Sequence, residues 1–253
     1  MNYSMRVKDV KMDIDDVQVK TFFENRTKKK LPYLVNYINY QDNHPELALE
    51  RDEYERKRIM PLLEFKRHSK VLDIGCGVGR WAKHIFTNRE LQCEYSGVDY
   101  SHNLLKLAKC YFANNSKCCF YEGNFQEILS VLPKYDIKNR YDMVFINGVM
   151  MYINDEDIKL CLENTKKLVK RNGRIYFKES VGIKNRLTLD KIYSDELTSQ
   201  YSAIYRSINE YDALIKEYFL NDGYKLVHKD AMWSSDLENR KETTAYFWIL
   251  EKE

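Results

Sequence analysis

Long apolar stretches are absent from this sequence of 253 residues. A helix that crosses a bilayer needs about 20 consecutive apolar residues, and no run approaches that length. The first residues, from Met1 to Arg6, lead directly into charged sequence and lack the apolar stretch of a secretory signal peptide. We therefore expect a cytoplasmic protein without a transmembrane segment.

Metal-ligand spacing is also missing. The sequence has six cysteines, and no two of them form a C-x-x-C pair. Several lie in apolar, strand-like sequence, where a free cysteine acts as a small core residue. We expect reduced thiols, which fit a cytoplasmic protein, and we expect no metal cofactor.

Neither sign of charge is in clear excess. The sequence contains 41 basic and 38 acidic residues, for a formal net charge of +3. Proteins that bind nucleic acids usually carry a clear basic excess, so no nucleic-acid partner is expected. The basic run at residues 28–30 is a local exception, and we interpret it as a solvated surface.

Short apolar runs alternate with helical patterns from residue 70 onwards. Strands are predicted at residues 70–75, 95–99, 118–121, 141–146 and 174–178, and helices at 81–86, 103–112 and 155–170. This alternation predicts a parallel sheet with helices on both faces. Two further strand-like segments, 224–228 and 243–250, have no helix between them and predict a hairpin-like pair. We therefore predict a doubly wound, Rossmann-like α/β fold: a seven-stranded sheet, mostly parallel, with one antiparallel edge strand.

The first 69 residues differ in composition, being polar and rich in tyrosine. Helices are predicted near residues 15–40 and 46–66, with Pro32 interrupting the first and Pro45 in the first turn of the second. We interpret residues 1–69 as a helical cap or lid of the same domain and residues 70–253 as its core. Residues 181–222 form an insertion in that core.

Three of only nine glycines fall at positions 75, 77 and 79, directly after the first predicted strand. Glycine at such a turn lets the backbone bend tightly and approach a ligand. Asp99 follows twenty residues after Gly79, at the end of the next strand, where a carboxylate can accept hydrogen bonds from ribose hydroxyls. The combination predicts a nucleotide site; a tight turn with Asp99 as a helix cap is the alternative.

The glycine spacing distinguishes between cofactors. A dinucleotide site prefers G-x-G-x-x-G, whereas residues 73–79 read D-I-G-C-G-V-G. This segment resembles the first motif of class I S-adenosylmethionine-dependent methyltransferases, and residues 70–180 follow the motif order of that family. The resemblance implies S-adenosylmethionine as the cofactor and S-adenosylhomocysteine as its product. A nicotinamide-dependent dehydrogenase is disfavoured.

The resemblance also implies residue roles. The backbone at residues 75–77 would contact the methionine end of the cofactor, and Asp99 would bind the ribose. Tyr100 would pack on the adenine, with Asn124 at its edge, where the family often has aspartate. The cofactor-binding residues implied are Asp73, Gly75, Cys76, Gly77, Gly79, Asp99, Tyr100, Asn124, Phe125, Asn147 and Val149.

The methyl acceptor is expected to be a small molecule bound by the cap, the insertion and the strand ends. Tyr201 and Tyr205 are four apart and would share a helix face, and Arg206 could bind a phosphate or carboxylate. Tyrosines that pack on the core are an equal alternative. Candidate acceptor-binding residues are Tyr37, Tyr40, Tyr201, Tyr205 and Arg206, and candidate catalytic residues are Glu179, His44 and Tyr152.

Two subgroups of the family compete on the acceptor. Residues 179–182 and 201–211 resemble methyltransferases of bacterial surface-polysaccharide biosynthesis, which implies O-methylation of a phosphorylated small molecule or sugar. Residues 174–180 also resemble methyltransferases of protein N-terminal amines, although Ser180 departs from that pattern. N-methylation of a peptide or small amine is therefore the alternative. A non-catalytic protein that keeps the fold is a third possibility, and the intact glycine turn and Asp99 count against it.

Overall fold

The computed structural model describes residues 5–39 and 41–253. Its strands are β1 (Met5–Lys8), β2 (Lys70–Ile74), β3 (Glu94–Asp99), β4 (Cys118–Glu122), β5 (Tyr141–Asn147), β6 (Val169–Gly182), β7 (Leu187–Ser194), β8 (Ser199–Tyr205), β9 (Tyr224–Ala231) and β10 (Thr243–Lys252). Its α-helices are α1 (Asp16–Arg26), α2 (Pro45–Leu63), α3 (Arg80–Thr87), α4 (His102–Tyr111), α5 (Ile128–Val131), α6 (Lys134–Asn139), α7 (Asp155–Leu168) and α8 (Ile208–Tyr218).

Seven strands form the main sheet in the order β4-β3-β2-β5-β6-β10-β9. The strands from β4 to β6 are parallel, and β10 runs antiparallel to both of its neighbours, β6 and β9. The predicted mixed sheet is confirmed, as is the closing hairpin-like pair. The antiparallel strand lies next to the outermost strand β9.

The core lies on both faces of this sheet, because successive side chains of a strand point to opposite faces. In β5, Val144 and Ile146 pack into one buried cluster, whereas Met143 and Phe145 pack into the other. Strand β2 is buried along its whole length. Buried parallel strands covered by helices explain why the sequence reads as short apolar runs.

The segment before β2 contains less helix than predicted. Helix α1 ends at Arg26, and only residues 34–37 form a further short 3-10 turn before α2. The buried Arg26 guanidinium donates to the Tyr37 carbonyl and forms an ion pair with Asp42 at 2.6 Å. These contacts fold the chain back on itself, while α2 begins at Pro45 as predicted.

The insertion contains strands where we predicted a helix. Strands β1, β7 and β8 form a separate three-stranded antiparallel sheet, and Tyr201 and Tyr205 lie on β8. Tyr201, Ala203 and Tyr205 belong to one buried cluster, whereas Ile204 belongs to another. A period of two also brings residues four apart to one face, so the spacing of the tyrosines could not distinguish strand from helix.

None of the helices in residues 5–39 and 41–253 is both long enough and apolar enough to cross a membrane.

Candidate active site

A cavity of about 430 Å³ opens at the carboxyl ends of β2, β3, β5 and β6. In doubly wound sheets, ligands bind where the strand order reverses, which here is between β2 and β5. At one end, the wall includes every residue predicted to bind the cofactor except Gly79. At the other end, it consists of Asn39, Arg51, Lys178, Ser180, Tyr152, Tyr201, Trp233, Glu238, Arg240, Thr243 and Thr244.

The glycine turn forms the floor of the cavity. Gly75, Gly77 and Gly79 all have positive φ, at 71°, 52° and 78°. A side chain at Gly77 would bring its Cβ within 2.6 Å of Ile38, and one at Gly75 would collide with Val149. The turn therefore requires glycine for both its conformation and its packing.

Asp99, the last residue of β3, is hydrogen-bonded to the glycine turn. One of its carboxylate oxygens accepts a hydrogen bond from the Gly77 N–H and the other from the Ser101 N–H, both at 2.8 Å. Burial raises the pKa of Asp99 to about 6, although these two hydrogen bonds favour the carboxylate. The carboxylate lines the cavity and keeps further acceptor capacity for a ligand.

Asp73 lies deeper than Asp99, at the end of β2. It accepts a hydrogen bond from the Tyr95 hydroxyl at 2.5 Å. Burial raises the pKa of Asp73 to about 7, and the negative charge of Asp99 adds to this effect. Cys76 in the turn is buried, and its thiol pKa lies well above the usual value. That thiol is therefore neutral and packs as an apolar side chain.

Polar groups without partners surround the cavity. The Tyr100 hydroxyl and both amide atoms of Asn147 are buried and form no hydrogen bond with any described residue. Leaving such groups unpaired costs about 1–3 kcal/mol each, which a bound ligand or water would recover. Asn124, Phe125 and Val149 also line the cavity, so it brings together most of the predicted cofactor residues.

Glu179 lies outside the cavity, and its expected role as a general base does not fit its position. Its side chain is fully buried and accepts hydrogen bonds from the N–H groups of Val149, Met150 and Met151 at 2.9–3.3 Å. Burial raises the pKa of Glu179 to about 7. The carboxyl group holds the loop after β5 in shape and does not face the cavity.

Two other predicted residues are also distant from the cavity wall. His44 is exposed and precedes α2, and the Tyr37 hydroxyl donates to the Lys29 carbonyl at 3.2 Å. Neither lines the cavity. Tyr40 lies outside the described residues.

Three tyrosine hydroxyls lie close together at the end of the cavity where we expected the acceptor to bind. The Tyr201 hydroxyl is 2.8 Å from that of Tyr152 and 3.2 Å from that of Tyr205. Tyr152 and Tyr201 line the cavity, and Tyr205 lies behind them. The insertion therefore contributes to the site through a strand.

Arg206 does not act as the expected anion clamp, since it is 1% exposed and fully engaged. Its guanidinium donates to the carbonyls of Met150 and Ile153, each at 2.7 Å, and forms an ion pair with Asp155. It stabilises the loop after β5 from behind, much as Glu179 does.

Arg240 was not predicted from the sequence, and it occupies the position that Arg206 was expected to fill. It lines the cavity beside the tyrosines, and its guanidinium forms no ion pair or hydrogen bond with a described residue. Burial opposes its charge, but the nearby phenol groups of Tyr205, Tyr201 and Tyr152 raise the pKa of Arg240. It lies in a polar loop with no periodic pattern, so no sequence signal singled it out.

The sequence model of a family described as "Methyltransferase domain" matches residues 65–237. This chain belongs to that family. The match covers the glycine turn, Asp99, Tyr152 and Tyr201, which lie around the cavity. No group of His, Cys, Asp or Glu side chains in the described part of this methyltransferase domain is arranged to hold a metal ion.

Curated relatives match about half of the length of this chain. Phosphoethanolamine N-methyltransferase 1 of Zea mays is 26% identical over 136 residues, which are 53% of this chain and 25% of the relative. Demethylmenaquinone methyltransferase of Staphylococcus carnosus is 27% identical over 157 residues, which are 55% of this chain and 63% of the relative. The chain thus spans only a quarter of the length of the maize relative.

Solved structures share the fold. A phosphoethanolamine N-methyltransferase 1 of Haemonchus contortus, in complex with phosphoethanolamine and S-adenosylhomocysteine, has a TM-score of 0.66 and 18% identity. That match covers 94% of this chain and 48% of the other. An S-adenosylmethionine-dependent methyltransferase of Leishmania major has a TM-score of 0.64 and 19% identity, covering 93% of this chain and 82% of the other. The class I methyltransferase fold is therefore confirmed.

Proposed function

We propose that this protein transfers a methyl group from S-adenosylmethionine to the nitrogen of a small phosphorylated amine. The observation that supports a phosphorylated acceptor is the position of the Arg240 guanidinium, which lines the cavity beside the hydroxyls of Tyr152 and Tyr201. A guanidinium and neighbouring hydroxyls are donors suited to a phosphoryl group.

The cavity fits the proposed cofactor. The glycine turn lines the cavity through Gly75, Cys76 and Gly77, and Asp99 offers carboxylate oxygens for ribose hydroxyls. The unpaired groups of Tyr100 and Asn147 lie at the same wall, where polar parts of a ligand would satisfy them. When bound, the cofactor supplies a methyl group already activated on a sulfonium. The protein then has to align the acceptor, exclude water and let a proton leave.

The choice of nitrogen over oxygen rests on the carboxylates near the acceptor end, which are already engaged by other groups of the protein. A hydroxyl acceptor needs a positioned base, whereas an amine can present a neutral lone pair in equilibrium with solvent. No histidine lines the cavity among the described residues, and Glu179 is held by three backbone N–H groups. Of the carboxylates near the acceptor end, Glu55 pairs with Arg80 and Lys178, and Glu238 accepts hydrogen bonds from the Thr244 hydroxyl and the Arg240 N–H. This favours our alternative of a small amine over O-methylation.

The names of the phosphoethanolamine relatives are consistent with a phosphorylated amine. None of the relatives described above is an enzyme of surface-polysaccharide biosynthesis, so that hypothesis has no support among them. Demethylmenaquinone relatives would imply an apolar acceptor. The charged wall around Arg240 argues against that alternative.

We further propose that residues 1–69 act as a cap of the active site and that residues 181–222 supply part of the acceptor wall. Helix α1 is consistent with this proposal. The ring centre of Phe23 lies 5.8 Å from that of Tyr100 and 5.0 Å from that of Tyr152. The Glu24 carboxylate accepts hydrogen bonds from the N–H groups of His102 and Asn103 at the start of α4. One helix therefore contacts both ends of the cavity.

Methyl transfer from labelled S-adenosylmethionine would test the proposed reaction. Phosphoethanolamine would be compared with ethanolamine, with a sugar phosphate lacking an amine, with a peptide with a free N-terminus and with demethylmenaquinone. We expect label in phosphoethanolamine at a KM at least tenfold below that of ethanolamine. Label confined to the sugar phosphate would restore O-methylation, and label confined to the peptide or the quinone would overturn the phosphorylated acceptor. Binding of the cofactor without transfer to any acceptor would favour a non-catalytic protein.

A further inference from the structure

Arg240 belongs to a loop that forms one wall of the acceptor end. This loop, residues 232–242, joins β9 to β10 and also brings Trp233 and Glu238 to the cavity. Apart from a short 3-10 turn at residues 235–237, it has no regular structure of its own. Its shape must therefore come from contacts with the rest of the protein.

One side chain of α2 makes several of these contacts. The Arg51 guanidinium donates two hydrogen bonds to the Leu237 carbonyl, at 3.0 and 2.5 Å, and one to the Asn239 side chain at 2.9 Å. It also stacks over the Trp233 ring at 5.4 Å from the ring centre. A single buried arginine thus holds the loop on both sides of its 3-10 turn and immediately before Arg240.

Arg51 is only 4% exposed, yet neither it nor Arg240 forms an ion pair with a described carboxylate. Burial lowers the pKa of Arg51, and the positive charge of Arg240 lowers it further. Glu238 lies nearby, but its carboxylate accepts hydrogen bonds from the Thr244 hydroxyl and the Arg240 N–H. Buried Arg51 and half-buried Arg240 have one carboxylate close to both of them, that of Glu238. Two cations and one carboxylate leave an excess of positive charge beside the loop, which favours an anionic ligand.

We propose that Arg51 is a positioning residue for the acceptor, holding the β9–β10 loop so that Arg240 faces the acceptor's anionic group. This inference rests on the proposed function, because it takes Arg240 as the anion-binding side chain. Arg51 acts through the loop, by its hydrogen bonds to Leu237 and Asn239. The cofactor end is built from other elements and does not depend on it.

Lysine should not replace Arg51. A lysine keeps the positive charge, but its ammonium cannot reproduce the planar fork that reaches Leu237 and Asn239 while stacking on Trp233. The Leu237 carbonyl would lose its two hydrogen bonds, and the loop would no longer be held next to Arg240. Arg51→Lys therefore separates the positioning role from a purely electrostatic one.

The test compares Arg51→Gln and Arg51→Lys with Arg240→Gln and the control Arg56→Gln. Arg56 lies on the same helix, but it faces solvent and pairs with Glu53. With phosphoethanolamine as acceptor, we expect both Arg51 variants and Arg240→Gln to raise KM at least tenfold. We expect kcat to change less than threefold and the calorimetric affinity for S-adenosylhomocysteine to stay unchanged. Arg56→Gln should match the wild type. Binding of inorganic phosphate supplies a second readout independent of turnover.

The double variant Arg51→Gln/Arg240→Gln adds a decisive comparison. If Arg51 acts through Arg240, the double variant should weaken phosphate binding no more than Arg240→Gln alone. A rise in KM for Arg240→Gln without any rise for the Arg51 variants would overturn the inference and leave the proposed function intact. Wild-type KM and phosphate affinity in Arg240→Gln would instead refute the anionic acceptor. A wild-type KM in Arg51→Lys alone would reduce the role of Arg51 to its charge.

Discussion

At the scale of single residues, the structure separates side chains that face the cavity from those that hold it in shape. Asp99 and Arg240 both line the cavity. Glu179 and Arg206 lie behind the loop after β5. There Glu179 accepts hydrogen bonds from backbone N–H groups, and Arg206 donates hydrogen bonds to backbone carbonyls. Charged residues of the same type, such as Arg206 and Arg240, therefore differ in position, because a buried charged group needs partners wherever it lies.

Asp99→Ala should weaken binding of S-adenosylhomocysteine by about tenfold to a hundredfold. The substitution removes the acceptor for the Gly77 and Ser101 N–H groups and the proposed ribose ligand, and hydrogen bonds to a charged group contribute about 1.5–3 kcal/mol. Isothermal calorimetry would measure the affinity. Asp195→Ala, at an exposed turn of the insertion, is the control. Equal affinities in the two variants would remove Asp99 from the cofactor site.

Glu179→Gln should reduce the dependence of stability on pH. The pKa of Glu179 is about 7 in the folded protein against an ordinary value of 4.5, so the folded state binds the proton more tightly than the unfolded state. Protonation therefore stabilises the fold, and this contribution is lost as the pH rises from about 4.5 through 7. Denaturant unfolding of the wild type at pH 5 and pH 8 should show that loss, and the variant should show a smaller one. An identical loss in both proteins would contradict the assignment.

At the scale of elements, the loops after the strands build the site, and each is held by elements distant in sequence. The loop after β5 is bound by β6 through Glu179 and by the residue after β8, Arg206. The β9–β10 loop is held by α2 through Arg51. Residues that line the cavity therefore lie on loops that the sheet and the helices hold in position, as is usual for this architecture.

Arg206→Met should destabilise the fold by about 3–5 kcal/mol. Removing the guanidinium leaves two buried carbonyls without their donor, at a cost of about 1–3 kcal/mol each, whereas Asp155 keeps its ion pair with Arg186. Chemical denaturation would measure the loss against Lys216→Met, an exposed site on α8. If Arg206 were instead an acceptor ligand, the variant would keep its stability and show only a raised acceptor KM.

Glu24→Ala should speed the dissociation of S-adenosylhomocysteine. Its carboxylate joins α1 to the start of α4, where it also satisfies the free N–H groups of that helix. Loss of this contact should let the cap open more often and raise the dissociation rate about tenfold in stopped-flow measurements. Glu50→Ala on the exposed face of α2 serves as the control. An unchanged rate would show that the cap does not restrain the cofactor.

At the scale of the whole molecule, a seven-stranded sheet brings two binding regions to one edge. The glycine turn follows β2 and Asp99 ends β3, whereas the proposed acceptor wall comes from the insertion, α2 and the β9–β10 loop. A ligand that bridges these regions should stabilise the folded state as a unit. Stability against heat is therefore a measure of occupancy.

S-adenosylhomocysteine at a hundred times its Kd should stabilise the protein by about 2.7 kcal/mol. For a chain of this size, that corresponds to a rise in Tm of about 5–10 °C. Differential scanning fluorimetry would measure the shift, with NADH as the control ligand, for which we expect no rise. A rise with NADH and none with S-adenosylhomocysteine would overturn the cofactor assignment.

The order of strands and helices, the glycine turn and Asp99 could be predicted from the sequence alone. Each depends on local physics: the period of apolar residues, the positive φ of Gly75, Gly77 and Gly79, and a carboxylate at a strand end. The motif at residues 73–79 is contiguous in the sequence because these features are local. Most residues that line this end of the cavity could therefore be named from the sequence, whereas their roles in binding a cofactor stay a prediction.

Only the tertiary structure decided the acceptor end. The four-residue spacing of Tyr201 and Tyr205 is compatible with either a strand or a helix, and pairing with β7 selects the strand. Whether Arg206 or Arg240 is the free cation depends on which buried carbonyls and carboxylates lie within reach. Those partners are brought together by contacts between residues distant in the chain, and no local pattern records them.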